Sequence, residues 1–259
     1  MSATAERITS RSNPLVVQLR RLAQDNAAYR RAGEVWLEGE HLCAAALART
    51  RTIRLAVLDE DAAGDTVLRT LAAHAARVVH LPRALFVSIS GLESPARIGC
   101  VLPLPVPPAI DAHAASVVLD RIQDPGNVGS ILRSAAAFGV RQVLALAGTA
   151  GLWSPKVLRA AMGAQFALDL VEGLDEAALG ALKVPLLGTS PHARASIADA
   201  PPPSPAAWVF GHEGQGVAPW LTARCAHTLR IPQPGGQESL NVAAAAAVCL
   251  YEATRRSPA

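Results

Sequence analysis

Ala207-Trp208-Val209-Phe210-Gly211-His212-Glu213-Gly214-Gln215-Gly216 runs four apolar residues directly into a loop of three glycines and one carboxylate. A short apolar run that stops on glycine reads as a buried strand. Its end lets a ligand come close to the backbone, and α/β proteins place ligands outside the carboxyl ends of their strands. Two further clusters have the same form. Asn127-Val128-Gly129-Ser130-Ile131-Leu132-Arg133 follows the apolar run Ser116 to Leu119 and the turn Asp124-Pro125-Gly126, while Ile231-Pro232 and Ser239-Leu240-Asn241 follow the run Thr228 to Ile231.

Working outward, strands are expected at Ser116 to Leu119 and Val143 to Leu146, and near 166–171, 184–187, 207–210 and 228–231. A helix is expected from Val128 to Phe138, with Asn127 as its cap, and another from about Leu240 to Arg255, with Ser239 as its cap. Upstream, Asn13-Pro14 opens an amphipathic basic helix carrying Leu15, Leu19 and Leu22. Val35 to Leu37, Ile53 to Leu58 and Val78 to Leu81 read as strands, with helical stretches at Leu42 to Leu47 and Thr66 to Ala75. The run Leu102-Pro103-Leu104-Pro105-Val106-Pro107-Pro108 breaks both periodicities, as expected of a linker. Strands interleaved with helices define the fold class as α/β. The organisation expected is a first domain over 1–102, a Pro-rich linker over 103–112 and a second domain over 113–259.

Of the 24 basic residues, 22 are arginine, and the formal net charge is +3. Within residues 1–31, Arg7, Arg11, Arg20, Arg21, Arg30 and Arg31 face only Glu6 and Asp25, six charges against two. Such an excess reads either as a phosphate-contacting surface or as a solvated helix face. The four cysteines, Cys43, Cys100, Cys225 and Cys249, are scattered without metal-site spacing, so no metal is expected and a reducing cytoplasm fits. The apolar run Val242 to Tyr251 is too short to span a bilayer.

The chemistry of the loops narrows the ligand. The Gly211 to Gly216 loop is not the G-x-G-x-x-G fingerprint of dinucleotide-binding proteins, which disfavours a nucleotide-dependent oxidoreductase. It also lacks the lysine and hydroxyl of a phosphate-binding P-loop. Glu213 would repel a phosphate, so a neutral or cationic ligand suits the loop better. Gln233-Pro234-Gly235-Gly236-Gln237 can wrap a flat group with backbone donors and acceptors. Read singly, each cluster could still be an ordinary turn or helix cap.

Taken together, in this order and at these strand ends, the three clusters resemble the signature motifs of the SPOUT-class RNA ribose 2′-O-methyltransferases of the TrmH/SpoU family. The resemblance covers 116–256 and includes Arg159-Ala160-Ala161-Met162-Gly163-Ala164, which is similar to a further family segment. Residues 5–100 more loosely resemble the ribosomal-protein-like (L30e-like) substrate domain that often precedes the catalytic one. The resemblance implies a trefoil-knotted methyltransferase domain of mostly parallel sheet with helices on both faces, and S-adenosylmethionine as methyl donor. It assigns the cofactor to Gly211, Ile231, Pro232 and Leu240, with Thr189 and Gly216 nearby. It assigns catalysis to Arg133, Glu213, Ser239 and Asn241, with Asn127 in support. It also implies a homodimer in which Arg133 completes the partner's site.

A free arginine is a poor base because its pKa exceeds about 12, so an electrostatic role for Arg133 is expected in place of simple proton abstraction. The substrate expected is structured RNA, ribosomal RNA before transfer RNA. The alternative from another class is a non-catalytic RNA-binding or ribosome-assembly protein of the same fold. Gln233, where methionine is common in the family, and Val242-Ala243-Ala244-Ala245 depart from the usual pattern.

Overall fold

The computed structural model describes residues 6–49, 52–62, 64–199, 202–235 and 239–255. They form two compact units. The first, Met1–Val106 with Trp153–Phe166, holds β1 (Glu6–Arg7), α1 (Pro14–Gln24), α2 (Ala28–Ala32), β2 (Glu34–Glu38), α3 (Glu40–Arg49), β3 (Ile53–Asp59), α4 (Thr66–Ala72), β4 (Ala75–Leu81), α5 (Arg83–Ile89) and β5 (Ile98–Pro103). Asn13 caps α1 as its sequence predicts, with Oδ1 accepting from the Leu15 N–H at 2.9 Å. The five strands lie in the order β1-β4-β3-β5-β2; β1, β4 and β3 are parallel, and β5 runs antiparallel to both β3 and β2. Val16, Leu19 and Leu22 of α1 pack with Leu55, Val57, Val79 and Phe86 in one core. The first residues of the Pro-rich run belong to β5, because Leu102 and Pro103 pair with Val35 and Glu34. Proline is tolerated there because Pro103 lies beyond the residues of β5 that pair with β3, so its missing N–H costs no ladder bond on that side.

The second unit, Pro107–Leu152 with Ala167–Ala259, contains β6 (Ser116–Asp120), α6 (Pro125–Ala137) and β7 (Gln142–Leu146). Next in the chain, α7 (Pro155–Ala161) clusters with the first unit, so the Arg159 to Ala164 segment is part of that unit. There Gly163 adopts φ +80°, and a Cβ on it would press on the Ala45 side chain at 2.8 Å. The second unit resumes with β8 (Asp169–Leu174), β9 (Leu186–Thr189), β10 (Ala195–Ser196), β11 (Ala207–Gly211), α8 (Pro219–Arg224), β12 (His227–Arg230) and α9 (Val242–Arg255).

Its seven strands are parallel throughout, in the order β10-β12-β9-β11-β6-β7-β8. β6, β7 and β11 are buried at every position, which is why they read as continuous Val/Leu/Ala/Phe runs and do not alternate. The two buried polar residues that pair across β6 and β7 are satisfied: Gln142 Nε2 donates to Ser116 Oγ at 2.7 Å and to the Asp111 carbonyl at 3.0 Å. From central β6 the chain steps to β7 on one side, while β11 closes the other. The carboxyl ends of β6, β11, β9 and β12 therefore gather at a topological switch point. Among the described residues no helix is long and apolar enough to cross a membrane.

Two helix starts differ from the sequence expectation. α6 begins at Pro125, and its cap is Asp124, whose Oδ1 accepts from the Asn127 N–H at 2.8 Å; Asn127 is thus inside the first turn. α9 is capped by Asn241 and not Ser239, with Oδ1 accepting from Ala243 N at 2.9 Å and Ala244 N at 3.3 Å. In both cases several cap-competent side chains stand within a few residues, and propensity alone does not choose among them.

Candidate active site

A cavity of about 260 Å³ opens at the switch point, with Thr189, Gly211, Gly216, Ile231 and Leu240 among its lining residues. Glu213, Ser239 and Asn241 line it as well. Pro232 follows Ile231 in the chain but is not part of the wall, and its ring is exposed. The wall depends on Gly211. A Cβ there would overlap the backbone of Gly216 and Val217, so only glycine lets the loop fold back against the end of β11. Gly216, at φ +67°, makes the return bend.

The loop is closed from within. Gly216 N–H donates to the His212 carbonyl at 2.8 Å, and Nδ1 of His212 accepts from Gly214 N at 3.0 Å and Gln215 N at 3.2 Å. Two N–H groups aimed at Nδ1 require it to carry a lone pair, so the ring proton sits on Nε2. His212 is not marked by the sequence, because an imidazole inside a glycine loop gives no spacing signal of its own.

Glu213 is fixed by three donors. Its carboxylate accepts from Asn127 Nδ2 at 3.0 Å, Asp124 N at 3.2 Å and Gln123 N at 3.3 Å. Partial burial pushes this carboxyl upward, but the hydrogen bonds from Asn127 and from backbone N–H groups outweigh it and hold the pKa below the usual glutamate value. Asn127 turns its other side-chain atom to α9, accepting from Asn241 Nδ2 at 2.9 Å. Asn241, Asn127 and Glu213 therefore form one relay from the helix starts to the cavity mouth. Asn127 can serve it because Asp124 has taken over the cap.

Arg133 is not brought to this site within the chain. It lies six residues after Asn127 on α6, about 9 Å further along the axis and some 240° around it, is exposed, and its side chain makes no hydrogen bond or ion pair among the described residues. Of the arginines near the N-terminus, Arg20 donates to the Ser88 carbonyl at 3.0 Å and to Ser88 Oγ at 3.2 Å, Arg31 pairs with Asp25, Arg7 pairs with Glu60, and Arg30 lies over the Tyr29 ring. Arg11 and Arg21 are the two that extend into solvent without a side-chain hydrogen bond among the described residues.

A ligand cavity at the switch point of an all-parallel sheet, walled by backbone and guarded by one hydrogen-bonded carboxylate, defines an α/β protein that binds a compact neutral or cationic ligand. Residues 114–251 match the SpoU rRNA methylase family, and the chain belongs to that family. It is 33% identical to an uncharacterised tRNA/rRNA methyltransferase of Synechocystis sp., over 96% of this chain and 93% of the relative. It is 31% identical to a 23S rRNA guanosine 2′-O-methyltransferase of Bacillus subtilis, over 83% and 86%. The AdoMet-bound rRNA methyltransferase of Sinorhizobium meliloti superposes with a TM-score of 0.85 at 25% identity, over 99% of this chain and all of that one.

Proposed function

We propose that this protein transfers a methyl group from S-adenosylmethionine to a ribose 2′-oxygen of ribosomal RNA. The observation that carries the reading is the Asn241–Asn127–Glu213 relay at the mouth of the Gly211-walled cavity, in a chain whose relatives are named for this reaction.

The residues present fit the cofactor. Ile231 and Leu240 offer apolar surface to a flat base, and the Gly211 cradle brings backbone close enough to hydrogen-bond it. Gln233 Oε1 is buried in the cavity wall with no hydrogen-bond partner among the described residues, an acceptor suited to an amine. When bound, S-adenosylmethionine supplies a methyl group already activated on a sulfonium, so the protein's task is alignment and removal of one proton. Thr189, Gly211, Gly216, Ile231 and Leu240 would hold the donor, with Pro232 fixing the backbone after Ile231. Glu213, kept ionised, favours positive charge at the cavity mouth. Ser239 and Asn241, which line the same cavity, would orient the ribose, and Asn127 fixes Glu213.

Arg133 is assigned to the site of a second subunit, which makes a homodimer the working unit. There its guanidinium would grip a phosphate and stabilise charge developing on the ribose oxygen. Residues 1–102 would dock the folded RNA, with Arg11 and Arg21 meeting phosphates, 103–112 would link, and 113–259 would carry the chemistry. The reading places the protein in the cytoplasm with its RNA.

Methyl incorporation from labelled donor into RNA of a strain lacking the gene is the test. Label in ribosomal RNA at a 2′-oxygen is the expected result, and label in transfer RNA alone would overturn the substrate. Tight RNA binding without incorporation would favour the non-catalytic reading. Mixing Arg133→Ala protein with Glu213→Gln protein should restore up to about a quarter of the activity through heterodimers with one intact site; no recovery would sink the shared site.

A further inference from the structure

Beside the relay stands a second, separate network. Arg121 follows the last residue of β6 with φ +57°, one of two non-glycine residues in the left-handed region among the described residues. An arginine gains nothing from that conformation, so the fold must hold it there. Its N–H donates to Thr149 Oγ1 at 3.1 Å, and Gly148 leaves room for its stem, since a Cβ on Gly148 would lie 3.2 Å from Arg121 Cγ. The guanidinium grips Asp120 through Nε at 2.8 Å and Nη2 at 3.2 Å, and Nη1 donates to Gln215 Oε1 at 3.1 Å. Asp120 is buried, and its Oδ2 also accepts from Ala218 N at 2.7 Å. The pair thus ties down the Glu213 loop twice: at Ala218 directly and at Gln215 through Arg121.

We propose that Arg121 is a positioning residue which acts through Gln215 to fix the loop that carries Glu213, with buried Asp120 as its counter-ion. Five residues separate Gly211 from Val217, and their inner bonds come from His212. An external tie at Gln215 keeps that closed turn in register with the end of β6, where Gln123 and Asp124 bond Glu213. The activity part of the test rests on the methyl-transfer reading, while the exchange part does not.

The experiment measures amide hydrogen exchange of residues 212–218 in the unliganded full chain, beside steady-state kinetics on RNA. Arg121→Asn keeps a residue that accepts a positive φ. Gln215→Ala cuts only the exposed link and leaves the Asp120–Arg121 pair whole, so a folding defect in the first variant cannot decide the matter. Both should speed exchange of the loop. Both should also lower kcat roughly tenfold, with KM for RNA within about twofold, as expected for one charge-assisted hydrogen bond that orders a reacting group. Gln215→Glu, which offers Arg121 a carboxylate, should exchange more slowly than Gln215→Ala. Wild-type exchange and kcat in Gln215→Ala, with a raised KM for RNA in Arg121→Asn, would overturn the proposal and make Arg121 a direct RNA contact. If the protein methylates no RNA, the exchange result alone still decides whether Arg121 orders the loop.

Discussion

Asn241 Nδ2 donates to Asn127 Oδ1 at 2.9 Å, joining two helix starts that lie 114 residues apart in the chain. The bond gives Asn241 two duties, because its Oδ1 caps α9 while its amide steadies the residue that holds Glu213. Asn241→Asp separates them. A carboxylate still caps the helix and suits its dipole, but it can no longer donate to Asn127. Thermal stability should stay near wild type while kcat falls roughly tenfold, the rate equivalent of about 1.4 kcal/mol. Asn127→Ala should fall similarly, and the double variant should cost less than the two single effects combined. Simple additivity would show that the relay does not act as a unit.

The Glu213 carboxyl, held below its ordinary pKa by Asn127 and backbone donors against the opposing effect of burial, titrates only in acid. A lowered folded-state pKa stabilises the ionised form, so its contribution is complete above the unfolded value of about 4.3 and is lost as pH falls through the folded value. Carbon-detected NMR titration should place Glu213 below the usual glutamate range, and Asn127→Ala should move it upward. A midpoint unchanged by that substitution would remove Asn127 from the electrostatics of the site.

Gly211→Ala should be severe despite adding one carbon. The new Cβ would overlap the backbone of Gly216 and Val217, which cannot yield as a flexible side chain would. A stability loss of about 1–3 kcal/mol is expected from overpacking, together with loss of S-adenosylmethionine binding by calorimetry. Binding near wild-type strength would mean the loop can retreat, and that the cavity wall is not what holds the donor.

His212 accepts two loop N–H groups, a task that an asparagine oxygen performs equally at the start of α9. His212→Asn should therefore keep most of the activity, and His212→Ala should lose it while the sheet stays folded by circular dichroism. Equal loss in both would point to a role for the imidazole itself.

Arg20 and Arg21 are neighbours in sequence with different surroundings. Arg20 is bound to Ser88, so Arg20→Ala should lower Tm and leave the salt dependence of RNA binding nearly intact. Arg21→Ala should leave Tm alone and flatten the salt slope by about 1 in log–log terms, one phosphate contact. The opposite pattern would reverse the assignment.

Buried parallel strands announce themselves as continuous apolar runs, and glycine turns mark where they end. β6, β7 and β11 and the three loops beyond them were accordingly legible, as was the cap of α1 at Asn13. α2, α5, α7 and α8 were not. At five to seven residues each they show at most two turns of helical period, and α4, also seven residues, was expected but with an end carried three residues too far, into β4. The loop segment Gly236 and Gln237 lies outside the described residues.

The sequence by itself determined the fold class and the positions of the three clusters, because those depend on local composition: apolar runs, glycines and cap-forming side chains. Only the tertiary structure decided which side chains act on which. Asp124 rather than Asn127 caps α6, Arg20 is bound to Ser88, and Arg121 reaches Gln215 across 94 positions. The physical reason is that a hydrogen bond is set by separation and angle over a few ångströms. A parallel sheet brings distant strand ends to that range through crossovers whose side-chain partners no sequence spacing encodes.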